Sequence, residues 1–545
     1  MHRTEASEPT GHLDTFARDN LPPREQWPAF RFDLPELAYP ARLNCATAFL
    51  DDAVAAGRGE HPAIVTPNET LSYCALAERA NRIANVLAAS GFVPGNRVLL
   101  RSGNNAWMAA AHFAVLKAGG VVVATMPLLR AKELAFILRK AEIGLALCDA
   151  RLADELEKAV ASTAPASPPC RVLHWGGELD ALCAAASPAF TACDTAADDV
   201  CLIAFTSGTT GEPKGTMHFH RDMLAICDTY ARHVLRPEPG DVFIGSPPLA
   251  FTFGLGGLVL FPLRVGATAV LLERAPPEEL LAAIATYRAT VVFTAPTAYR
   301  AMAALAARHD LSSLRKCVSA GEALPAATIA SWRAATGLTL MDGIGGTEML
   351  HIFIAAQEGE IRPGATGKPV PGYLAKVIGE DGAEVTRGVA GLLAVQGPTG
   401  CRYLADARQA NVVRDGWNLT GDVYLQDADG YFWYQCRADD MIITAGYNIA
   451  GVEVEAALLA HPAVKECGVV GVADKERGQI VKAFVVLNEG FAPGEATVAA
   501  LQDHVKLQIA PYKYPRAVTF VAALPRTETG KLQRFALRAT AEARS

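Results

Sequence analysis

The stretch TSGTTGEPKG (Thr206–Gly215) contains three glycines, four hydroxyl side chains and one lysine within ten residues. A buried-strand pattern, Asp199–Phe205, precedes it, and apolar residues at three- and four-residue steps predict a helix over Arg221–Val234. Glycine lets backbone N–H groups approach an anion closely, while hydroxyls and an ammonium add donors and charge. We therefore expect a phosphate-binding loop between a strand and a helix. Its predicted ligands to phosphate are Thr206, Ser207, Gly208, Thr209, Thr210, Gly211 and Lys214.

The spacing of this loop excludes the common ATPase motif. In GxxxxGK[ST] the lysine precedes Ser or Thr, whereas Lys214 precedes Gly215, so a P-loop kinase or ATPase is disfavoured. A flexible surface loop is the alternative for any Gly/Ser/Thr-rich segment, and the ten residues alone leave it open.

Composition limits the class of protein. The chain has 545 residues, which predicts at least two domains, and 51% hydrophobic against 20% charged residues is typical of a globular protein. A formal net charge of -7 provides no basic field for nucleic acid. The twelve cysteines include no CxxC pair, which favours free thiols of a reducing cytoplasm. The N-terminus lacks an apolar signal segment, and no apolar run is long enough to cross a bilayer, so we expect a cytoplasmic protein without a membrane anchor.

The secondary-structure pattern predicts α/β architecture. Short apolar runs, such as Arg97–Leu100 and Ala289–Ala295, alternate with Ala-rich helical patterns, which indicates parallel α/β layers. After Gly391 short strands and turns predict a β-rich subdomain, and a compact α/β pattern of about a hundred residues follows Ile442.

Four further motifs follow the glycine-rich loop in order: GIGGTEM (Gly343–Met349), TGD (Thr420–Asp422), RADDMIITAGYNI (Arg437–Ile449) and PRTETGK (Pro525–Lys531). Together the five resemble the adenylate-forming superfamily of acyl-CoA synthetases, luciferases and peptide-synthetase adenylation domains over nearly the whole chain. The resemblance implies an α/β fold with a large N-terminal adenylation domain of layered α/β subdomains plus a β-rich subdomain, residues 1–436, and a small mobile α+β C-terminal domain, residues 437–545.

The resemblance also implies a reaction. A carboxylate would attack ATP to give an acyl-adenylate and pyrophosphate, and the thiol of coenzyme A would then displace AMP, with Mg²⁺ and hydrogen-bond donors holding the negative charge. Lys531, Glu348 and Thr347 are the implied catalytic residues, with Glu348 as the magnesium ligand. The further ATP and AMP contacts are Gly321, Glu322, Ala323, Asp342, Gly343, Asp422 and Arg437. Asp439 matches the hinge between the domains, and Gly446 and Tyr447 match the coenzyme A passage.

The predicted substrate is an aromatic acid. Amino-acid-activating relatives place an acidic side chain in the segment that corresponds to Pro248–Gly257, and this segment has none. The predicted acid-binding residues are Phe251, Thr252, Phe253, Gly254, Ala320, Gly345, Gly346 and His351. We expect His351, three residues after Glu348, to lie on the same side of a helix and to meet the ring or its substituent, although an apolar-core histidine is the alternative.

The sequence therefore predicts an AMP-forming aryl-CoA ligase. Segments such as Thr125–Leu134 resemble the 2-aminobenzoate branch, so 2-aminobenzoate is the preferred substrate and a benzoate-type acid the next. The alternatives are a ligase for medium-chain or other aliphatic acids and, from another class, a non-catalytic nucleotide-binding module. We expect no nucleic acid partner, and a monomer or a homodimer.

Overall fold

The structure is a computed structural model that describes residues 10–163, 170–206, 213–444, 447–474, 477–526 and 532–542. In chain order the strands are β1 Pro62–Val65, β2 Thr70–Ser72, β3 Arg97–Arg101, β4 Val121–Thr125, β5 Leu145–Asp149, β6 Arg171–Trp175, β7 Val200–Thr206, β8 Lys214–Phe219, β9 Val242–Gly245, β10 Thr268–Val270, β11 Val291–Thr294, β12 Lys316–Ser319, β13 Leu340–Gly345, β14 Ile352–Ala355, β15 Lys368–Pro369, β16 Leu374–Ile378, β17 Ala390–Gln396, β18 Val413–Arg414, β19 Trp417–Gln426, β20 Phe432–Arg437, β21 Ile442–Thr444, β22 Tyr447–Ile449, β23 Val464–Asp474, β24 Gly478–Leu487 and β25 Ala517–Phe520.

The α-helices are α1 Phe16–Asp19, α2 Tyr73–Ala89, α3 Ala106–Lys117, α4 Ala131–Lys140, α5 Ala153–Thr163, α6 Glu178–Ala185, α7 His220–Ile226, α8 Thr252–Leu255, α9 Phe261–Val265, α10 Pro277–Tyr287, α11 Pro296–Ala303, α12 Ala326–Thr336, α13 Gln409–Val412, α14 Gly451–Leu459, α15 Glu495–Gln508 and α16 Arg534–Glu542. Wider π-helical segments occur at Thr47–Asp51, Val54–Arg58, Cys227–Leu235 and Gly256–Leu260. Short 3₁₀ turns occur at Arg24–Gln26, Pro35–Leu37, Ala150–Leu152, Ala306–Arg308, Thr347–Met349, Ala438–Asp440 and Pro511–Lys513.

Two large sheets form the layered part of the molecule. One has six strands in the order β6-β5-β3-β4-β7-β8, and the other has nine in the order β15-β14-β13-β12-β11-β9-β10-β1-β2. The consecutive residues Val98, Leu99 and Leu100 of β3 are all fully buried. Because successive strand side chains point to opposite faces, a wholly apolar strand indicates that both faces of the sheet are covered.

The helices cover the sheets in alternating layers. Helices α2 and α3 share one apolar core with both sheets, which places them between the two. Helices α4 and α5 pack on the other face of the six-stranded sheet, and α10, α11 and α12 pack on the other face of the nine-stranded sheet. Ser72 caps α2 by accepting a hydrogen bond from the backbone N–H of Ala75. The α/β layering expected from the sequence is confirmed.

The remaining sheets are smaller. Strands β16 to β20 form a five-stranded antiparallel sheet. A β-rich subdomain was predicted only after Gly391, and the sheet begins earlier because β16, Leu374–Ile378, pairs with β17. Strands β21 to β25 form the sheet of a separate C-terminal unit, whose core includes residues of β23, β24, α14 and α15. The border between residues 436 and 437 stays a prediction.

One local prediction was wrong. The glycine-rich loop does not run from a strand to a helix, because β8 lies between it and α7. Strand β8 pairs antiparallel with β7, so the loop connects the two strands of a hairpin.

Two further observations concern expectations from composition. All twelve cysteines are free. Among the described helices, none combines the length and the hydrophobicity that a bilayer crossing requires.

Candidate active site

Hairpin β7–β8 brings Thr206 and Lys214 together. The two residues are register partners at the open end of the hairpin. Lys214 Nζ lies 3.4 Å from the hydroxyl of Tyr403 and 5.0 Å from its ring centroid, so the ammonium is held at the base of the glycine-rich loop. Five predicted phosphate ligands lie outside the described residues: Ser207, Gly208, Thr209, Thr210 and Gly211.

A single 3₁₀ turn after β13 carries Thr347 and Glu348, both partly exposed. The hydroxyl of Tyr403 donates to Glu348 Oε1 at 2.5 Å. Burial, together with the negative charge of Glu348, raises the pKa of Tyr403, so the phenol remains a donor. Lys214 and Glu348 therefore contact the same phenol and lie at one site.

The predicted nucleotide segment lies at the carboxyl ends of two neighbouring strands. Strands β12 and β13 are parallel, and Ser319 pairs with Asp342. Residues Ala320, Gly321, Glu322 and Ala323 follow β12 in an irregular loop before α12, and Gly343, Gly345 and Gly346 follow Asp342 along β13 and into the next turn. Ligands of parallel α/β sheets bind at such carboxyl ends.

Asp342 has an altered acidity. Its side chain is partly exposed, but the surrounding protein desolvates it and raises its pKa to about 7, against a smaller lowering by the N–H of Gly343. A pKa near 7 leaves this group divided between its protonated and carboxylate forms at neutral pH.

The two predicted ribose contacts face each other across strands β19 and β20. Asp422 and Arg437 are register partners, and Arg437 Nη1 lies 3.2 Å from Asp422 Oδ1 and 3.0 Å from the carbonyl of Thr420. Burial raises the pKa of Asp422, and Arg437 opposes that rise. In this pair the Asp422 side chain is 13% exposed and the Arg437 side chain is 47% exposed.

Two of the predicted acid-binding residues, Phe253 and His351, belong to a group of aromatic side chains. Phe251 precedes α8, and Thr252, Phe253 and Gly254 belong to it. The ring of His351 lies 5.6 Å from that of Phe253, and its Nε2 lies 3.4 Å from the carbonyl of Phe253. The Nδ1 atom of His351 is buried and has no hydrogen-bond partner among the described residues.

The predicted reason for the position of His351 was wrong, because no helix follows Glu348. Leu350 adopts a left-handed backbone angle, φ 69°, which ends the turn before β14 begins at Ile352. His351 instead fits against Gly256, where an added Cβ would lie only 2.4 Å from its ring. Burial lowers the pKa of His351 to about 3, so the imidazole is neutral at physiological pH.

The C-terminal unit contacts the nucleotide segment. Arg526 Nη1 lies 3.6 Å from Glu322 Oε1. Lys531, the predicted catalytic lysine five residues after Arg526, lies outside the described residues, as does Gly446. Tyr447 is 56% exposed and stacks on Tyr512 with ring centroids 4.7 Å apart.

The predicted hinge residue, Asp439, lies in the 3₁₀ turn between β20 and β21, 3.8 Å from the Nε atom of Arg437. Its neighbour Asp440 accepts a hydrogen bond from Arg538 of α16 at 2.6 Å. The turn thus joins the ribose pair to the C-terminal unit.

Several residues that contact this site were not predicted from the sequence. Tyr230, Phe261 and Phe293 place their rings within 6.5 Å of the His351 ring, yet they belong to three separate elements. Tyr403 and His218 contact the turn that carries Thr347 and Glu348. The sequence shows the residue type at each of these positions but gives no signal that they lie near one another.

The described part of the site contains a lysine at the open end of hairpin β7–β8, a carboxylate–guanidinium pair with a desolvated carboxyl group nearby, and a group of aromatic rings. Chemically these can attract a phosphate, a hydroxylated sugar and a planar ring, respectively. The sequence matches the family described as AMP-binding enzyme over residues 51–403, and the AMP-binding enzyme C-terminal domain over residues 453–531.

Individual relatives match over almost their full length. The benzoate–CoA ligase of Thauera aromatica is 38% identical over 513 residues, which cover 92% of this chain and 97% of that protein. The crystal structure of an anthranilate CoA ligase in complex with anthranoyl-AMP superposes with a TM-score of 0.88 at 35% identity, over 93% of this chain and 99% of the other. A benzoate CoA ligase from Burkholderia xenovorans LB400 gives 0.84 at 34% identity, over 91% and 100%.

The chain belongs to the AMP-binding enzymes, the adenylate-forming superfamily, in its branch of benzoate and other aromatic-acid CoA ligases. It is an AMP-forming acid–CoA ligase. The roles of the individual residues above stay proposals.

Proposed function

We propose that this enzyme activates an aromatic carboxylic acid, with 2-aminobenzoate as its preferred substrate, and transfers the acyl group to coenzyme A. The observation that carries the proposal is the group of rings of Phe253, Phe261, Phe293 and Tyr230 around a neutral histidine, one nitrogen of which has no hydrogen-bond partner in the part of the chain that the structure describes. Flat apolar walls suit a planar ring.

The ortho amino group is inferred from His351. Its Nε2 faces a carbonyl oxygen, an acceptor, so Nε2 carries the proton and Nδ1 is left as an acceptor. A buried acceptor without a partner costs free energy, which an N–H donor of the substrate would relieve. Benzoate lacks that donor. The similarity to an anthranilate CoA ligase, whose acid is 2-aminobenzoate, supports the same choice.

In the first half-reaction a carboxylate oxygen of the acid attacks the α-phosphorus of ATP. The new oxygen–phosphorus bond forms as the bond to pyrophosphate breaks, which gives an aryl-adenylate. Lys214 and the loop residues 206–211 would hold the phosphates, while Asp422 and Arg437 would hold the ribose. Lys531 would bridge the attacking carboxylate and the α-phosphate.

Glu348 is the proposed ligand of Mg²⁺. Its carboxylate is a hard oxygen donor at a partly exposed position, with Oε1 oriented by Tyr403, and such a group together with ATP phosphates is the usual environment of Mg²⁺. The ion would neutralise phosphate charge.

In the second half-reaction the coenzyme A sulfur attacks the acyl carbon and AMP leaves. We propose that residues 437–545 rotate about Asp439 between the steps, so that Gly446 and Tyr447 reach the adenylate.

A substrate panel with a matched variant tests the proposal. Wild-type enzyme should form AMP from 2-aminobenzoate with a higher kcat/KM than from benzoate, and hexanoate should be the poorest of the three. His351→Phe removes both ring nitrogens. Loss of the Nε2 contact to Phe253 and the larger ring affect both acids, whereas loss of Nδ1 affects only 2-aminobenzoate, so kcat/KM should fall about 5–10-fold further for 2-aminobenzoate than for benzoate. Equal losses for both acids would overturn the ortho-amino assignment, and a preference for hexanoate would overturn the aromatic one.

A further inference from the structure

The turn that carries Thr347 and Glu348 has a strained backbone. Leu350, which ends the turn, has φ 69° and ψ -40°, a conformation that is costly for a leucine. Such a conformation persists only where surrounding contacts restrain it. Thr399 provides one restraint, because its hydroxyl donates to the carbonyl of Met349 at 2.8 Å.

His218 provides a second restraint, from β8. Its Nε2 lies 2.8 Å from the carbonyl oxygen of Thr347, and since a carbonyl can only accept, Nε2 carries the proton. The side chain is fully buried, so this hydrogen bond does not compete with water. It connects the hairpin of the glycine-rich loop directly to the Thr347–Glu348 turn.

On its other side His218 lies beside a buried ion pair. Its Nδ1 lies 3.6 Å from Asp222 Oδ2, and Asp222 forms an ion pair with Arg402. Burial alone would raise the pKa of Asp222, but Arg402 and His218 lower it to about 2, so a carboxylate faces the imidazole. All three side chains are fully buried, so packing encloses the ring while its Nε2 bonds to Thr347.

The segment that carries Arg402 also carries Tyr403. It pairs with β8 through hydrogen bonds from Met217 N–H to the Arg402 carbonyl, 2.7 Å, and from Leu404 N–H to the Gly215 carbonyl, 2.8 Å. The hairpin strand β8 and this segment therefore form one frame, which holds the turn through His218 and the Glu348 carboxylate through Tyr403.

We propose that His218 is a positioning residue of the adenylation half-reaction. Buried beside Asp222 and Arg402, it sets the position of the Thr347 backbone relative to strand β8 and Lys214, and so the distance between Thr347, Glu348 and the phosphates of ATP. The inference rests on the proposed roles of Thr347 and Glu348. It predicts that His218 matters for the step that uses ATP and not for transfer of a preformed acyl-adenylate to coenzyme A.

Asn and Gln side chains, which differ in length by one methylene group, distinguish the Nε2 contact of His218 from its Nδ1 contact. The amide nitrogen of Gln occupies nearly the place of Nε2 and can still donate to Thr347, whereas that of Asn reaches only the place of Nδ1, beside Asp222. His218→Gln should therefore keep the restraint that His218→Asn loses. His218→Leu removes both contacts.

The assay measures the half-reactions separately: pyrophosphate exchange with varied ATP and Mg²⁺, and thioester formation from chemically prepared 2-aminobenzoyl-adenylate and coenzyme A. His218→Asn should lower kcat/KM for ATP in exchange by roughly 10–100-fold, the range found when groups that orient active-site ligands are removed. His218→Gln should stay within about threefold of wild type by keeping that hydrogen bond. Thioester formation should change less than about twofold in both.

Equal losses in the two half-reactions, or no advantage of His218→Gln over His218→Asn, would overturn the proposal. If His218→Leu folds, its losses in the two half-reactions are compared in the same way. If it does not fold, the comparison of His218→Gln with His218→Asn alone tests the proposal. Glu348→Gln is the reference: if it leaves pyrophosphate exchange intact, the proposed function of Glu348 fails. If Glu348→Gln loses exchange while His218→Asn does not, only the positioning role fails.

Discussion

Replacing Gly256 by alanine should disturb the proposed acid pocket through one defined contact. The added Cβ would lie 2.4 Å from Cδ2 and 2.8 Å from Nε2 of His351, whereas carbon atoms in ordinary contact are about 3.5–4.0 Å apart. The imidazole must therefore retreat by about 1 Å. Its Nε2 is already 3.4 Å from the carbonyl of Phe253, so this hydrogen bond would break.

The magnitude follows from these two effects. Overpacking of a filled core costs about 1–3 kcal/mol and a lost hydrogen bond about 1 kcal/mol. If about 2 kcal/mol of this falls on acid binding, kcat/KM for 2-aminobenzoate should drop roughly 30-fold, since about 1.4 kcal/mol corresponds to tenfold. KM for ATP should stay within about twofold, because the change does not touch the nucleotide segment.

Steady-state AMP release with varied 2-aminobenzoate and varied ATP measures both parameters. Gly240→Ala is the matched control, because a Cβ at that position meets nothing within 4 Å. An unchanged kcat/KM for the acid in Gly256→Ala, or an equal loss for acid and ATP, would show that the His351 ring does not border the acid site.

Three further predictions concern the nucleotide and the C-terminal unit. Asp422→Asn should raise KM for ATP about tenfold in pyrophosphate exchange, because it weakens the proposed charge-assisted ribose contacts beside Arg437; an unchanged KM would exclude the ribose assignment. KM for ATP should fall as pH rises through about 7, where Asp342 becomes a carboxylate able to accept from the adenine amine, and Asp342→Asn should flatten this profile; a wild-type profile in the variant would contradict the contact. Arg526→Ala should slow pyrophosphate exchange more than thioester formation, because its partner Glu322 lies in the nucleotide segment; a larger loss in thioester formation would assign the ion pair to the other step.

Apolar periodicity was enough to predict the layers of the fold. Runs such as Val98–Leu100 are apolar throughout because helices cover both faces of the sheet. Strand β8 was not visible, since Lys214–Phe219 neither alternates nor forms an apolar run, and it exists because it pairs with β7. Local sequence carries little information about such pairing.

The candidate site was predictable only as a set of short motifs. Asp422 and Arg437 are brought together by the register of β19 and β20. The sequence assigned both to the ribose only through the family resemblance. His351 was assigned to the site for a reason that the left-handed Leu350 invalidates.

Contacts between residues distant in sequence could not be predicted. Tyr403 meets Glu348 across 55 positions and His218 meets Thr347 across 129. The fully buried Cys45 and His220 are hydrogen-bonded across 175 positions, with Sγ and Nδ1 3.1 Å apart. Each contact depends on the packing of the whole domain, and one sequence holds no local signal for it.

The most direct test of the proposed function is one reaction with purified protein, Mg²⁺, ATP, coenzyme A and 2-aminobenzoate, analysed by mass spectrometry. We expect 2-aminobenzoyl-CoA, AMP and pyrophosphate in equal amounts, and 2-aminobenzoyl-AMP when coenzyme A is omitted. ADP in place of AMP, or a thioester formed from hexanoate but not from 2-aminobenzoate, would contradict it.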